Sequence, residues 1–177
     1  MKLRPVTPDD LDLLRRFVAE PGLIGLDWNG HRDPRRVGQQ YEEDGFLGTE
    51  HGRLMVDTDG ATAGFVSWGA GSYDGGRSRY WEIGIALLPE YRGQGIGWRA
   101  QSMLADYLFE HTTAERIQAG THPENLAEQK ALVKAGFQFE GVLRACEFRA
   151  GRYRDGYLYS RLRSDLSPTA SVPGPGC

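Results

Sequence analysis

Pro89-Glu90-Tyr91-Arg92-Gly93-Gln94-Gly95-Ile96-Gly97-Trp98 is the stretch on which the reading of this chain turns. Three glycines alternate between an apolar run, Tyr80 to Leu88, and a segment from Trp98 to His111. In that segment Ala100, Met103, Leu104, Tyr107 and Leu108 recur at helical spacing. A strand, a glycine-rich turn and a helix start make an anion site. Unpaired N–H groups of the first helical turn converge with the positive end of the macrodipole, and glycine lets a pyrophosphate approach the backbone without a Cβ in the way. Diphosphate is the expected ligand group. A Walker loop would need a Lys after its last glycine, and none follows; a dinucleotide fingerprint would need its third glycine where Trp98 stands. A tight strand-to-helix turn that binds nothing is the plain alternative, and the bare glycine pattern does not decide between them.

Upstream, Arg53 to Asp57 and Thr62 to Trp68 are β-prone runs around Asp59-Gly60, a hairpin signal. Gly69 to Arg79 reads as a surface loop. At the N-terminus, a strand from Leu3 to Val6 leads into a helix marked by Thr7 as N-cap, Pro8 at the first helical position and Asp10. From Gly22 to Gly52 the pattern loosens, and at most one short helix is predicted. Downstream come a strand from Arg116 to Thr121, a helix from about Glu124 to Ala135 with Gly136 as its cap, and strands Val142 to Phe148 and Tyr153 to Leu162 around Ala150-Gly151. The order β-α-(α)-β-β-β-α-β-α-β-β is that of an α/β or α+β mixed sheet. One domain over residues 1–166 and a disordered Ser/Pro/Gly tail over 167–177 are expected.

The 177 residues carry 40% hydrophobic and 25% charged side chains, the composition of an ordinary globular chain. A net charge of −3 lacks the basic surplus of a tight nucleic-acid binder, so no direct nucleic-acid partner is expected. The residues between 144 and 163 are rich in Arg, which reads as a solvated hairpin face. Two cysteines, Cys146 and Cys177, make no disulfide framework. Neither they nor the histidines have metal-ligand spacing, so no metal is expected. No run is long and apolar enough for a membrane span, and no signal-type segment stands at the start; the cytoplasm is the expected compartment.

The sequence from Ile85 to Gly97 resembles the acetyl-CoA-binding signature of the GNAT N-acetyltransferase superfamily, Arg/Gln-x-x-Gly-x-Gly/Ala after an apolar strand. Asn125-Leu126-Ala127-Glu128, Leu132 to Phe137 and Glu140 to Arg144 look like a second block of its RimJ/RimL-type branch. Gly151 to Leu162 is similar to that branch's closing hairpin. The resemblance covers about residues 3 to 163 and is weak from Gly22 to Gly52. It implies a GNAT-like fold: a twisted sheet splayed between its fourth and fifth strands, with acyl-CoA in the split. It further implies that Ile85, Ala86 and Leu87 pair with pantetheine, that the amides of the turn (Arg92, Gly93, Gln94, Gly95, Ile96, Gly97 and Trp98) hold the pyrophosphate, and that Asn125 bonds the pantetheine arm. For Asn125 a plain N-cap is the alternative.

The implied activity is transfer of an acetyl group from acetyl-CoA to a primary amine by direct attack in a ternary complex. The acceptor is a protein N-terminal α-amine or a small-molecule amine. The rival is a non-catalytic acyl-CoA-binding module, and a homodimer is left open. A base must take a proton from the amine. Glu82 is the first candidate, as a carboxylate in an apolar strand where desolvation would raise its pKa; a salt bridge to Arg is its alternative. Other GNAT branches often carry a Tyr as general acid where this chain has Leu132, and the Ser that often follows the family's Asn by three residues is Glu128 here, so the proton donor is unassigned. Glu128 is a second base candidate. Asp27, Trp28, Asn29 and His31 fall in the expected acceptor wall, with Trp28 and Asn29 as candidate substrate contacts.

Overall fold

The computed structural model describes residues 1–28 and 30–166. Strand β1 (Lys2–Pro5) leads through a 3-10 turn at Pro8–Asp10 into α1 (Leu11–Ala19). Helix α2 (Pro21–Ile24), a second 3-10 turn at Gly25–Asp27 and α3 (Arg35–Asp44) follow. The meander β2 (His51–Thr58), β3 (Ala61–Ser72) and β4 (Arg79–Leu87) then gives way to α4 (Ile96–His111), β5 (Arg116–Thr121) and α5 (Leu126–Lys134). The hairpin β6 (Gln138–Arg149) and β7 (Arg152–Leu162) and a 3-10 turn at Arg163–Leu166 complete the described chain. The seven strands form one mixed sheet in the order β1-β2-β3-β4-β5-β7-β6, as the alternation of the sequence implied.

Strand periodicity places the layers. On β2, Leu54 and Val56 point into the larger core with Leu104, Leu108, Ile117 and Leu132, while Met55 between them packs with Leu14 and Val37 on the other face. Helices α4 and α5 thus cover one face, and α1 and α3 the other. Asp59 and Gly60 both have positive φ, the geometry of the predicted β2–β3 hairpin turn. Ala150 and Gly151 do the same between β6 and β7.

Asp10, almost wholly buried, anchors the first turn. Its carboxylate accepts from the Thr7 amide and hydroxyl at 2.8 Å each and from both terminal nitrogens of Arg4 at 2.6 and 2.8 Å. Arg4 also donates to Asp57 at 2.7 Å, tying β1 to β2. The guanidinium is the main reason the Asp10 carboxyl is held down at about 2.

Four expectations are corrected. The segment predicted to hold at most one short helix contains α2 and the ten-residue α3, whose only buried residue is Val37; so little apolar surface gives a weak periodic signal. The loop expected from Gly69 is strand as far as Ser72, because Gly69 to Ser72 pair with Arg79 to Glu82. On α4 the buried stripe is rotated: Ala100, Gln101, Leu104, Ala105, Leu108 and Phe109 are inside, and Met103 and Tyr107 are exposed. The arginines of the closing hairpin are not simply solvated. Arg161 pairs with Asp106 at 2.9 Å, and Arg163 donates to the carbonyls of Phe109, Thr112 and Ala114 at 2.7–2.8 Å, capping α4. The tail from 167 to 177 lies outside the described residues. No described helix is long and apolar enough to cross a membrane.

Candidate active site

Strand β4 carries the site because its two edges are treated differently. Toward β3 it is laddered from Gly64–Leu87 to Ser72–Arg79; toward the parallel β5 it pairs only at Trp81–Ile117 and Glu82–Gln118. Beyond Glu82 the strands diverge, and the freed backbone of Gly84 to Leu87 forms one wall of a cleft of about 580 Å³. A peptide edge without a partner seeks one, so this wall is suited to an extended, amide-bearing ligand.

Gly64 makes that wall possible: a Cβ there would stand 2.1 Å from the Ala86 carbonyl oxygen, and its φ is +152°. At the cleft's end, Gly93 and Gly95 both adopt φ of +74°, turning the chain into α4 so that the first amides of a 16-residue helix face the opening. Arg99 holds this turn by donating to the carbonyls of Gly95 and Gln94 at 3.0 and 3.1 Å.

The opposite wall is α5. Asn125 is its N-cap, the side chain accepting from the Glu128 amide at 3.2 Å, and it lines the cleft as well; the cap and the cleft role coexist. Ala127, Lys130, Ala131 and Lys134 follow on the cleft-facing stripe. Glu128 reaches the cleft with its carboxyl half-buried, resting on Gln101 of α4, which is fully buried. Desolvation, then the nearby negative Asp27, push the Glu128 carboxyl up to about 7, against the lowering effect of its hydrogen bond with Gln101. Asp27 completes the mouth. His122, buried at the end of β5, stands 2.9 Å from Asp27 through Nε2 and 2.9 Å from Glu147 of β6 through Nδ1.

Of the residues proposed from sequence, Ile85, Ala86, Leu87, Arg92, Gly93, Gly95, Gly97, Trp98 and Asn125 line this cleft. Ile96 turns its side chain into the core, leaving only its backbone for the turn, and Gln94 donates to the Glu90 carbonyl. Arg92 is largely committed to structure, donating to the carbonyls of Leu87 at 2.9 Å and Leu23 at 2.6 Å. Glu82 sits on β4 where the strands are still paired, exposed and outside the cleft-lining residues, so it is not buried as the sequence reading expected. Trp28 packs edge-on against His31 and is not among the cleft-lining residues; Asp27 beside it is. Asn29 lies outside the described residues. Leu132 is fully buried in the core. Gln101, Lys130 and Lys134 were missed. The stripe at 127, 130, 131 and 134 was a usable signal for the lysines, but Gln101 reads as an ordinary polar helix residue until α5 is placed over it.

The arrangement offers an extended anionic ligand a backbone edge and a helix N-terminus, and offers a basic group carboxylates across from them. The chain belongs to the GNAT acetyltransferase family: the model of the acetyltransferase (GNAT) domain matches residues 1–138. It is 31% identical over 165 residues to spermidine N(1)-acetyltransferase of Escherichia coli K12, covering 88% of this chain and 82% of that one. With other curated relatives the match is more local, spanning about half of their length, as in one 38% identical over 86 residues, 49% of this chain and 48% of the relative.

Among solved structures, the chain superposes on Vibrio cholerae spermidine N-acetyltransferase in complex with CoA and spermine with a TM-score of 0.80, at 21% identity over 93% of this chain and 96% of that one. It superposes on RimL, a ribosomal L7/L12 α-N-protein acetyltransferase in complex with CoA, with a TM-score of 0.75, at 17% identity over 90% and 92%. Both likenesses are likenesses of fold.

Proposed function

We propose that this protein is an acetyl-CoA-dependent N-acetyltransferase that acetylates a primary amine by direct attack in a ternary complex. The observation that carries the proposal is the split beyond Glu82, which sets the opened β4 edge and the glycine turn against a desolvated carboxylate, Glu128, in one cleft. The residues present suit the carrier. The Cβ position of Gly93 meets open space, so a diphosphate can approach the turn. Ile85 to Leu87 offer backbone to the pantetheine arm, and Asn125 an amide. Lys130 and Lys134 add positive charge along the α5 wall, where phosphate oxygens would run.

For the acceptor, Asp27 and Glu128 favour an amine that is cationic when it arrives, and we assign a polyamine or similar small cation ahead of a protein N-terminus. The spermidine acetyltransferase likeness supports this; the RimL likeness supports the RimJ/RimL branch and a peptide α-amine. We place the protein in the cytoplasm as one domain over residues 1–166. A homodimer is supported by the exposed Phe139, Val142, Leu143 and Phe148 on the edge strand β6.

Calorimetric titration with acetyl-CoA and CoA, on the wild type and on Gly95→Trp, tests the carrier site. Micromolar binding lost in the variant is expected. An acetylation screen of spermidine, spermine and peptides with free N-termini follows. Binding without transfer to any amine would instead indicate a binding module.

A further inference from the structure

We propose that Glu128 is the single proton carrier of the transfer, taking the proton of the attacking amine and delivering it to the departing thiolate, with Gln101 as the positioning residue beneath it. This rests on the acetyltransferase reading above.

The composition of the cleft leads to it. Among the described lining residues, the side chains with a dissociable or polar proton are Asp27, Ser67, Arg92, Trp98, Asn125, Glu128, Lys130 and Lys134; no Tyr, His or Cys is among them. Guanidinium and ammonium groups are donors only, and the Ser67 hydroxyl, the Trp98 indole and the Asn125 carboxamide are too weakly basic to take the amine's proton. Asp27 faces His122 at 2.9 Å and is largely exposed. Glu128 remains, half-buried on α5 across from the opened wall of β4. One turn further along the same helix, Leu132 is apolar and fully enclosed, so that turn offers no second proton donor.

Gln101 suits both protonation states of such a carrier. Its amide nitrogen donates to the Gly97 carbonyl at 3.5 Å and has a second hydrogen for the carboxylate, and its Oε1 is buried without a partner, free to accept from a carboxylic acid. A buried acceptor left unpaired costs stability, and a protonated Glu128 would supply what it lacks. The charged group acting on the carboxyl is Asp27 from the 3-10 turn, with His122 and Glu147 behind it; Lys130 and Lys134 of α5 and Arg92 of the glycine turn line the same cleft. Burial and Asp27 bring Glu128 to about 7, close to where a carrier both accepts and releases a proton readily.

The step balances without another donor. An amine that arrives as an ammonium first releases one proton to solvent; its neutral nitrogen then forms the C–N bond to the thioester carbonyl carbon while a second N–H proton passes to Glu128. As the C–S bond breaks, the same proton passes to sulfur. The products are the N-acetyl amide and a thiol, and Glu128 is again a carboxylate.

The test uses the full chain as wild type, Glu128→Gln and Gln101→Leu. Rates are measured against pH with acetyl-CoA and with p-nitrophenyl acetate, whose phenolate leaves without needing a proton. Acetyl-CoA affinity and ligand-free melting temperature against pH are measured alongside. With acetyl-CoA, Glu128→Gln is expected to lower kcat about 100-fold with unchanged affinity and to remove the rising limb near pH 7. With the aryl ester its loss is expected to be several-fold smaller. Gln101→Leu is expected to move the limb to higher pH. The wild type's melting temperature is expected to fall relative to Glu128→Gln as pH climbs from 4.5 to about 7 and to level off above that, a readout that needs no substrate.

A rising limb that survives in Glu128→Gln overturns the proposal, as does an equal loss with both donors, which would leave Glu128 a base and not a carrier. A wild type that acetylates no amine overturns the functional reading itself. That outcome differs from failure of the carrier alone, in which wild type and Glu128→Gln are both fully active.

Discussion

The two walls of the cleft are made differently. The β4 wall is backbone: an edge released from pairing after Glu82–Gln118, ending in a turn whose glycines leave the amides uncovered. The α5 wall is side chain: Asn125, Glu128, Lys130 and Lys134 standing on a helix, with Asp27 contributed by a distant turn. A backbone wall recognises what every carrier of one kind shares, whereas a side-chain wall can be changed residue by residue. The first wall therefore fits the carrier, and the second fits chemistry and acceptor choice.

Substitutions can push each wall toward failure. The largest effect is expected from Gly64→Ala, which drives a Cβ into the Ala86 carbonyl at a positive φ. It should cost about 3 kcal/mol or more and distort the β4 wall, checked by denaturant unfolding and acetyl-CoA titration. On the other wall, Glu128→Gln should lower kcat about 100-fold while raising stability. The folded protein holds this proton to about 7 against 4.5 for the free group, so stability falls as pH climbs between those values. Above pH 7 the variant should be more stable by about 1–3 kcal/mol, checked by chemical unfolding at pH 5 and pH 8.

Asp10→Asn lies outside both walls and calibrates them. Its carboxyl is lowered from 3.8 to about 2, so its contribution is present above 3.8 and lost as pH falls through 2. The variant should lose about 2 kcal/mol at neutral pH and show less acid sensitivity, with cleft chemistry unchanged. Asn125→Ala, which touches both cap and cleft, should cost about 1 kcal/mol and weaken acetyl-CoA binding several-fold. The smallest effect is expected from Glu82→Gln, with kcat within about threefold of wild type; a loss comparable to that of Glu128→Gln would return the base to β4.

Legibility followed the same division. The glycine turn, the strand before it and the helix after it could be read locally, because a positive φ and a diphosphate-sized opening demand glycine at particular positions. The α3 segment could not, since one buried Val and a mostly polar helix carry almost no period. Glu82 misled because an acid in an apolar strand reads as buried. The register places it among residues still paired to β5 with its side chain outward.

The sequence by itself determined the β2–β3 hairpin, the glycine turn before α4 and the family, since each depends on contacts between neighbours in the chain. Only the tertiary structure decided which carboxylate is desolvated. Burial of Glu128 is a property of α5 lying over Gln101 and opposite Asp27, residues 27 and 101 positions away from it in sequence, and charge stabilisation is set by surroundings in space that no local pattern encodes.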